Sequence, residues 1–563
     1  MVGTVVKKSA MTNTDSTYLT ASEMADRQRE ISVSEFFLKN RHLLGFDSPA
    51  KALLTTTKEA VDNALDACEE AGILPEIRVE IIDEEDDTYR VIVEDNGPGI
   101  QEDQIARIFG KLLYGSKFHK LSQSRGQQGM GISAACMYAQ LTTGKSLHVI
   151  SRVKGERTAS ELLISIDTAK NRPQLHGKKQ IKWDRPHGTW IEVEMEGRYQ
   201  KGVHSIEMYL KQTAIANPHA TFHLRGPHGE EITFKRSSKE LPPRPIEIKP
   251  HPRGVELGRL IQMLNSTRSK TLLQFLENEF SRVGRKTAQE IIETAKRKLT
   301  ARSQPKRIAH SQANALYKAI KKVPVSAPRT DCIVPIGEQR LLDGMKKEID
   351  ADFYIVKTRP PAVYRGNPFQ IEVGIAYGQP GGAGLKVDKA GHIKKIPRHK
   401  REASEALVLH ADEPAHLLRF ANRVPLLYEQ GGCAITQAVL QTNWHNYGLQ
   451  QPKGAMPIAP MVILVHLASV WVPFTSEAKE AIAQSPEIIK ELKLGLQECA
   501  RRLAEHLHQE TRLKREYEKR SHIEKYLPHV GIALQDILEL SDKQRKQTVE
   551  KLDDVLHKRR KIQ

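Results

Sequence analysis

The sequence predicts a multidomain α+β protein, and three observations carry that prediction. Residues 31–235 and 326–480 mix β-branched alternating stretches with Ala/Leu-rich periodic runs, the two signatures of strand and helix. Residues 251–325 between them read as helix throughout and are strongly basic. From residue 487 apolar side chains recur at spacings of 3 and 4, the mark of one long helix. A chain of 563 residues is long enough to bury several cores.

Residues 1–30 are polar and Ser/Thr-rich and predict a tail. Thr55–Ala71 is rich in Ala, Leu, Glu and Lys and predicts a helix. Glu59 and Asn63 are four apart and share one face, while Val61, Leu65 and Cys68 share another that can pack inward. A carboxylate beside an amide suits two tasks. Glu59 can deprotonate a water as general base. Asn63 can offer an oxygen to Mg2+, which favours oxygen ligands and phosphate partners. The polar face of a surface helix would look the same from this segment alone.

Glu76–Ile82 and Tyr89–Glu94 alternate like strands and predict a hairpin across the acidic turn Asp83–Asp87. Asp95 then stands at a strand end in Asp95-Asn96-Gly97-Pro98-Gly99-Ile100. An aspartate there can accept from an adenine amino group, with glycines letting the backbone approach a flat base. An ordinary Asp-x-Gly turn is the plainer reading. Gly126-Gln127-Gln128-Gly129-Met130-Gly131 opens a helix, Ile132–Gln140, whose amides suit phosphate. It lacks the strand of a dinucleotide fingerprint, and Gly144-Lys145-Ser146 has Ala139 where a P-loop needs its first glycine. Further strands are expected near 147–153, 160–166 and 189–195, the last holding Gly188-Thr189. The four segments in this order describe an ATP site without a P-loop.

That order and spacing resemble the GHKL ATPases: gyrase B, MutL, heat-shock chaperones and histidine kinases. Phe109-Gly110-Lys111-Leu112-Leu113-Tyr114-Gly115-Ser116-Lys117, the glycine loop and Val472-Pro473-Phe474-Thr475-Ser476-Glu477-Ala478-Lys479-Glu480 narrow it to the B-subunit family of archaeal-type DNA topoisomerase VI, over roughly 30–560. The resemblance implies a GHKL (Bergerat) α/β sandwich with ATP and Mg2+ as ligands. It implies Glu59 as the water-activating base and Asn63 as the Mg2+ ligand. Asp95 would take the adenine with Asn96, Gly97 and Gly99 alongside, backed by Thr189. Gly126, Gly129 and Gly131 would form the lid on the phosphates, with Ser116, Lys117, Gln127, Gln128, Met130 and Ile132 among the other ATP-binding residues. Lys479 would reach the γ-phosphate from a second domain. As a bland alternative, Lys479 is a surface lysine near a helix start.

Charge is unevenly spread. The formal net charge is +18, and residues 251–325 hold 16 Lys or Arg against 5 Glu and no Asp, which is +11 of it. Such a focus favours nucleic acid over a diffusely solvated surface. Four helices are expected near 254–265, 271–280, 286–298 and 309–321, and they resemble a helix–two-turn–helix domain. Arg285 and Lys286 sit at one helix start, where amides can face a DNA phosphate. The alternative is a basic module docking on protein. Glu240–Pro250 is proline-rich and predicts a linker.

Beyond it, Ile333–Pro335, Phe353–Val356, Phe369–Tyr377 and Met461–Val472 are strand-like and Arg340–Ile349 helical, matching the family's transducer domain. Lys386–Arg401 predicts an exposed basic loop. Trp444-His445-Asn446-Tyr447 resembles a DNA-contact motif with His in place of Lys, and Trp444 and Tyr447 serve equally as core anchors. Ile489, Leu492, Leu496, Cys499, Leu503 and Leu507 form the seam of a stalk helix, 485–527, that Pro528 is expected to break. The implied domains are a tail at 1–30, an ATPase at 31–240, a DNA-contact domain at 250–325, a transducer at 326–484, the stalk, and 528–563 holding the A subunit.

Five scattered cysteines suggest neither zinc nor a disulfide framework. No signal peptide and no membrane span is visible, so a reducing cytoplasm, with nucleoid association, is expected. The family implies an A2B2 heterotetramer that dimerises on ATP, captures double-stranded DNA and drives strand passage. The DNA-cleaving tyrosine would lie in the partner. Two rivals remain: a MutL-like or chaperone-like ATPase clamp, and a nucleotide-sensing scaffold with little turnover.

Overall fold

The computed structural model describes residues 21–28, 31–115, 120–126, 129–168, 170–378, 384–387, 393–396 and 412–559. Helix α1 (Pro49–Ala71) starts six residues before the predicted Thr55, because Ser48 caps it and Pro49 suits its first turn. Gly72, at φ 72°, ends it. Val61, Leu65 and Cys68 are fully buried, so the inward face is the one expected.

An eight-stranded sheet faces α1. Its strands are β1 (Glu76–Asp83), β2 (Thr88–Asp95), β3 (Leu147–Arg152), β4 (Ala159–Asp167), β5 (Arg172–Ile181), β6 (Gly188–Glu196), β7 (Thr221–Arg225) and β8 (Glu231–Phe234), in the order β5-β4-β3-β6-β2-β1-β7-β8. The hairpin β1–β2 is in register from Ile77↔Asp95 to Asp83↔Tyr89. Between strands lie α2 (Glu102–Gly110), α3 (Gly131–Thr143) and α4 (Ile206–Ala216). Alternating residues of the sheet, such as Val79, Ile81, Val91 and Val193, pack against Leu53, Ala64, Leu65, Met137 and Leu210 in one core. Strand β5 departs from expectation, since Pro173 and Gly177 argue against a strand interior. It is the sheet's edge, where a missing N–H is tolerated.

The basic module has its own core around Leu260, Phe275, Ile291 and Leu316. Its helices are α5 (Leu257–Ser266), α6 (Leu272–Glu279), α7 (Arg285–Ala295) and α8 (His310–Lys322). Helix α7 ends at Ala295 and not 298, because Lys296, Arg297 and Lys298 all turn left-handed.

The second sheet is built from β9 (Phe353–Thr358), β10 (Ala362–Tyr364), β11 (Asn367–Tyr377), then, after the antiparallel pair β12 (Gly384–Val387) and β13 (Ile393–Ile396), β14 (His416–Ala421), β15 (Val424–Pro425) and β16 (Met461–Ser469). The rest of the predicted 386–401 loop lies outside the described residues. Strand β16 is buried along its whole length because both its faces are covered. Met461, Ile463, Val465 and Leu467 meet α11 (Pro486–Leu538), after α9 (Glu338–Glu348) and α10 (Ala434–Gln441), while Val462 and Leu464 meet α9 and Ile215 of α4. The second face thus joins the two sheets.

Two expectations fail here. Ile333–Pro335 is no strand: Val334 pairs with the Gln123 side chain, and the following Ile336 and Gly337 N–H groups donate to Glu372 at 2.7 Å, so side chains take the place of a ladder. Pro528 does not break the stalk, which stays helical to Leu538. An interior proline costs about 3 kcal/mol. Helix α12 (Asp542–Arg559) folds back alongside, with Val549 packed into the space that Gly531 leaves. The turn itself is made by Glu539, left-handed at φ 50°. The seam is real: Leu492, Leu496, Cys499 and Leu503 are fully buried, but against the chain's own second sheet.

Candidate nucleotide site and its lysine

A cavity of about 630 Å³ opens between α1, the end of β2, the glycine loop and the segment Glu477–Lys479. The sequence-predicted residues Glu59, Asn63, Asp95, Gly99, Gly126, Gly129, Met130, Gly131, Ile132, Thr189 and Lys479 all line it. Ser116, Lys117, Gln127 and Gln128 lie outside the described residues.

At one end Asp95 is held by backbone donors. Its Oδ1 accepts from Gly97 N–H at 2.7 Å and Thr189 N–H at 3.2 Å, since β2 and β6 set Asp95 opposite Thr189. Burial pushes the carboxyl up to about 7, against the pull of those two amides. Gly99, at φ 77°, passes so close to the Arg152 carbonyl that a Cβ would overlap it. Two of the predicted residues do not line the cavity. Asn96 faces away: its amide accepts from Glu76 N–H at 2.8 Å and donates to Leu74 O at 3.1 Å, fastening α1 to β1. Gly97 sits behind Asp95 as its donor and does not line the cavity.

At the other end the helices converge on Glu59. A Cβ on Gly131 would overlap the Glu59 carboxylate, so the first residue of α3 must be glycine for the two to meet. Asn63 is exposed into the cavity one turn along α1.

Lys479 comes from 420 residues away and places Nζ 3.3 Å from Glu59 Oε1. It is not a surface lysine at a helix start. It is 4% exposed, left-handed at φ 55°, and lies in a turn before α11. Burial opposes its charge, but Glu59, Asp62 and Asp66 outweigh that and raise its pKa. The turn is seated on α1 and on the segment before it by more than this pair. Ala478 N–H donates to Leu43 O at 3.2 Å, Lys58 Nζ donates to Ala478 O at 3.3 Å, and Lys51 pairs with Glu480 at 2.5 Å.

Sequence reading missed the buried groups that brace this end. Asp62 accepts from Tyr209 Oη at 3.2 Å and is pushed up to about 6 by burial. Arg125, next to the first loop glycine, pairs with Asp66 and Glu69 of α1, each at 2.7 Å. Asp62 and Asp66 flank Asn63 in the same helical segment, which was the available signal. Arg125 had none, its partners being distant in the chain.

The predicted DNA residues divide. Arg285 and Lys286 are exposed at the start of α7, whose cap is Gly284. Trp444 is fully buried, with Nε1 donating to Val439 O at 3.0 Å, and offers no face to DNA. Tyr447 is half-buried against the same core.

Among the described residues no helix is long and apolar enough to cross a membrane. The described chain's five cysteines are buried and unpaired. Residues 49–170 match the family described as histidine kinase-, DNA gyrase B- and HSP90-like ATPase, and residues 328–519 match the topoisomerase VI B subunit transducer. The chain is 48% identical to the type 2 DNA topoisomerase 6 B subunit of Methanococcoides burtonii over 520 residues, 92% of this chain and 79% of that one. It is 45% identical to that of Archaeoglobus fulgidus over 541 residues, 96% and 85% of the two chains. The Pyrococcus furiosus protein is 38% identical over 552 residues, 89% and 90%. Both parts of the bipartite cavity, an ATPase layer and a lysine from the transducer, therefore fall within matched segments, and the chain belongs to the B-subunit family of type 2 DNA topoisomerase 6.

Proposed function

We propose that this chain works as the ATP-driven gate of an A2B2 topoisomerase: ATP dimerises two copies around a DNA duplex, and the A subunits cut and pass DNA. The observation that carries this is the Glu59–Lys479 pair, in which a base on the ATPase helix meets a cation from the transducer. Glu59 takes the proton of the attacking water. Lys479 senses the γ-phosphate, so a triphosphate binds the arrangement in which the two domains are drawn together. Asn63 is the fitting Mg2+ ligand: its side chain lines the cavity, and a single amide oxygen suits an ion that takes its other ligands from phosphates and water. When bound, that ion neutralises phosphate charge. The domain limits follow the sequence reading: tail 1–30, ATPase 31–240, DNA-contact module 250–325, transducer 326–484, stalk from 485. The hairpin beyond 528 is the proposed A-subunit dock, supported by exposed Ile537, Leu538 and Val555. Its cytoplasmic, nucleoid-associated setting follows from the DNA it would hold.

Mixed with the A subunit, Mg2+ and ATP, the chain should relax supercoiled plasmid. Reversing Arg285 and Lys286 to glutamate should weaken DNA binding and flatten its salt dependence, since fewer counterions are released. Basal ATPase activity should persist. An unchanged salt slope would take this helix start off DNA.

Asp95 gives a pH test. An adenine amino group donating to Asp95 favours the ionised carboxylate, so binding lowers a pKa that stands near 7 in the free protein. Nucleotide binding below about pH 7 should therefore release a proton, and affinity should weaken as pH falls through that value. Calorimetry in buffers of different protonation enthalpy reads this directly. Asp95→Asn should lack that release, and equal release in both proteins would remove Asp95 from adenine recognition.

A further inference from the structure

The root of the glycine loop, Leu121–Arg125, is fastened to the transducer as well as to the ATPase layer that it serves. Gln123 N–H donates to Cys332 O at 2.9 Å, and the Gln123 side chain pairs with Val334 in both directions, accepting its N–H at 2.6 Å and donating to its carbonyl at 3.1 Å. Leu121 O accepts from Ile248 N–H at 3.1 Å. Ser124 O accepts from Asn422 Nδ2 at 3.0 Å, and Arg125 reaches Asn217, which in turn donates to Arg423 O at 3.5 Å.

Asn422 and Arg423 are the two central residues of the β14–β15 turn. Both are left-handed, at φ 48° and φ 69°, where a hairpin of this kind favours asparagine and then glycine. An arginine there is out of place for the turn alone. Both residues are buried, 3% and 5% exposed, because the turn is driven into the ATPase layer. Its rear is fixed as firmly. Asn422 exchanges two hydrogen bonds with the Ser469 backbone, each at 2.9 Å, and Arg423 N–H donates to His466 Nε2 at 3.0 Å. That leaves the His466 proton on Nδ1, where it donates to Glu372 at 2.7 Å. Glu372 in turn accepts from Ile336 and Gly337, the stretch just after Val334. Both sides of the clamp thus rest on one buried pair in the middle of the second sheet.

We propose that Gln123 and the Asn422–Arg423 turn are positioning residues for the triphosphate: they fix the root from which Gly126, Gly129 and Gly131 reach the phosphates, and they tie that loop to the transducer by a route separate from Lys479. The proposal rests on the nucleotide reading of the cavity. It predicts that loosening the clamp disturbs what the glycines touch, the terminal phosphates, and spares the base end around Asp95.

Two variants test it, Gln123→Ala and Asn422→Gly. The second keeps the turn, since glycine suits φ 48° better than asparagine, so it folds if the first does not. Binding of a non-hydrolysable ATP analogue and of ADP is measured for each, with turnover and melting temperature. Losing one such hydrogen-bonded pair should weaken the analogue about tenfold and lower turnover by a similar factor. ADP binding should stay within about twofold of wild type. An unchanged ratio of analogue to ADP affinity overturns the proposal, whether both hold or both fall together with the melting temperature. Absence of ADP binding in the wild type would instead sink the nucleotide reading beneath it.

Discussion

Replacing Glu59 with alanine is expected to stop ATP turnover while leaving ATP bound. A general base acts on the water and need not touch the ground-state nucleotide, so its loss lowers kcat by roughly 10²–10⁴-fold without a matching loss of affinity. The geometry sharpens this. Glu59 lies where α1 meets Gly131 and Lys479, so its removal also frees the Lys479 ammonium from its nearest partner. A buried cation that loses its hydrogen-bonded carboxylate gains more from another anion, and a bound triphosphate brings one in its γ-phosphate. Triphosphate affinity should therefore hold or rise. Turnover and nucleotide affinity measured separately decide it: wild-type turnover in Glu59→Ala would take Glu59 out of the mechanism. Asn63→Ala, by contrast, should weaken binding of Mg·ATP itself.

Lys479→Ala should cost turnover by about 10²-fold or more, as loss of a buried, preorganised charge at a reacting phosphate does. It should also block the ATP-driven change of angle between the ATPase layer and the transducer. ADP affinity should change little, because ADP has no γ-phosphate to lose. Scattering with a non-hydrolysable analogue reads the angle. A variant that compacts like wild type and hydrolyses ATP normally would leave Lys479 without its role. The seating by Lys51, Lys58 and Leu43 should keep the turn in place in the variant, so the effect belongs to the ammonium.

What was legible in the sequence was whatever local pattern alone decides. The β1–β2 hairpin followed from alternation, α1 from its apolar face, and the cavity residues from spacings within short segments. Errors arose where a distant partner overrides the local signal. Ile333–Pro335 looks like a strand, yet the Gln123 side chain takes up Val334 and Glu372 the two residues that follow the stretch. Trp444 looks like a contact residue until the core that encloses it is assembled. Asn96 stands inside a nucleotide motif and serves the loop behind it. Pro528 breaks a lone helix and is carried in one braced by a neighbour. Lys479 could be matched by resemblance, but its burial and left-handed backbone depend on α1, hundreds of residues earlier.

Helix α11 is one unbroken element of 53 residues, and among the described residues its packing in the core of the second sheet reaches the turn around Leu507. At 1.5 Å per residue the remainder to Leu538 runs about 45 Å further. Such a rod is a lever whose short arm is welded to the sheet beside Lys479's turn. A tilt of about 10° at the weld, from a sliding of an ångström or two at the root, would sweep the far end by roughly 8 Å. A displacement too small to move DNA at the nucleotide becomes, at the tip, comparable to half the width of a duplex. Amplification of this kind needs stiffness more than strength, and that is what a returning partner packed beside the interior proline supplies.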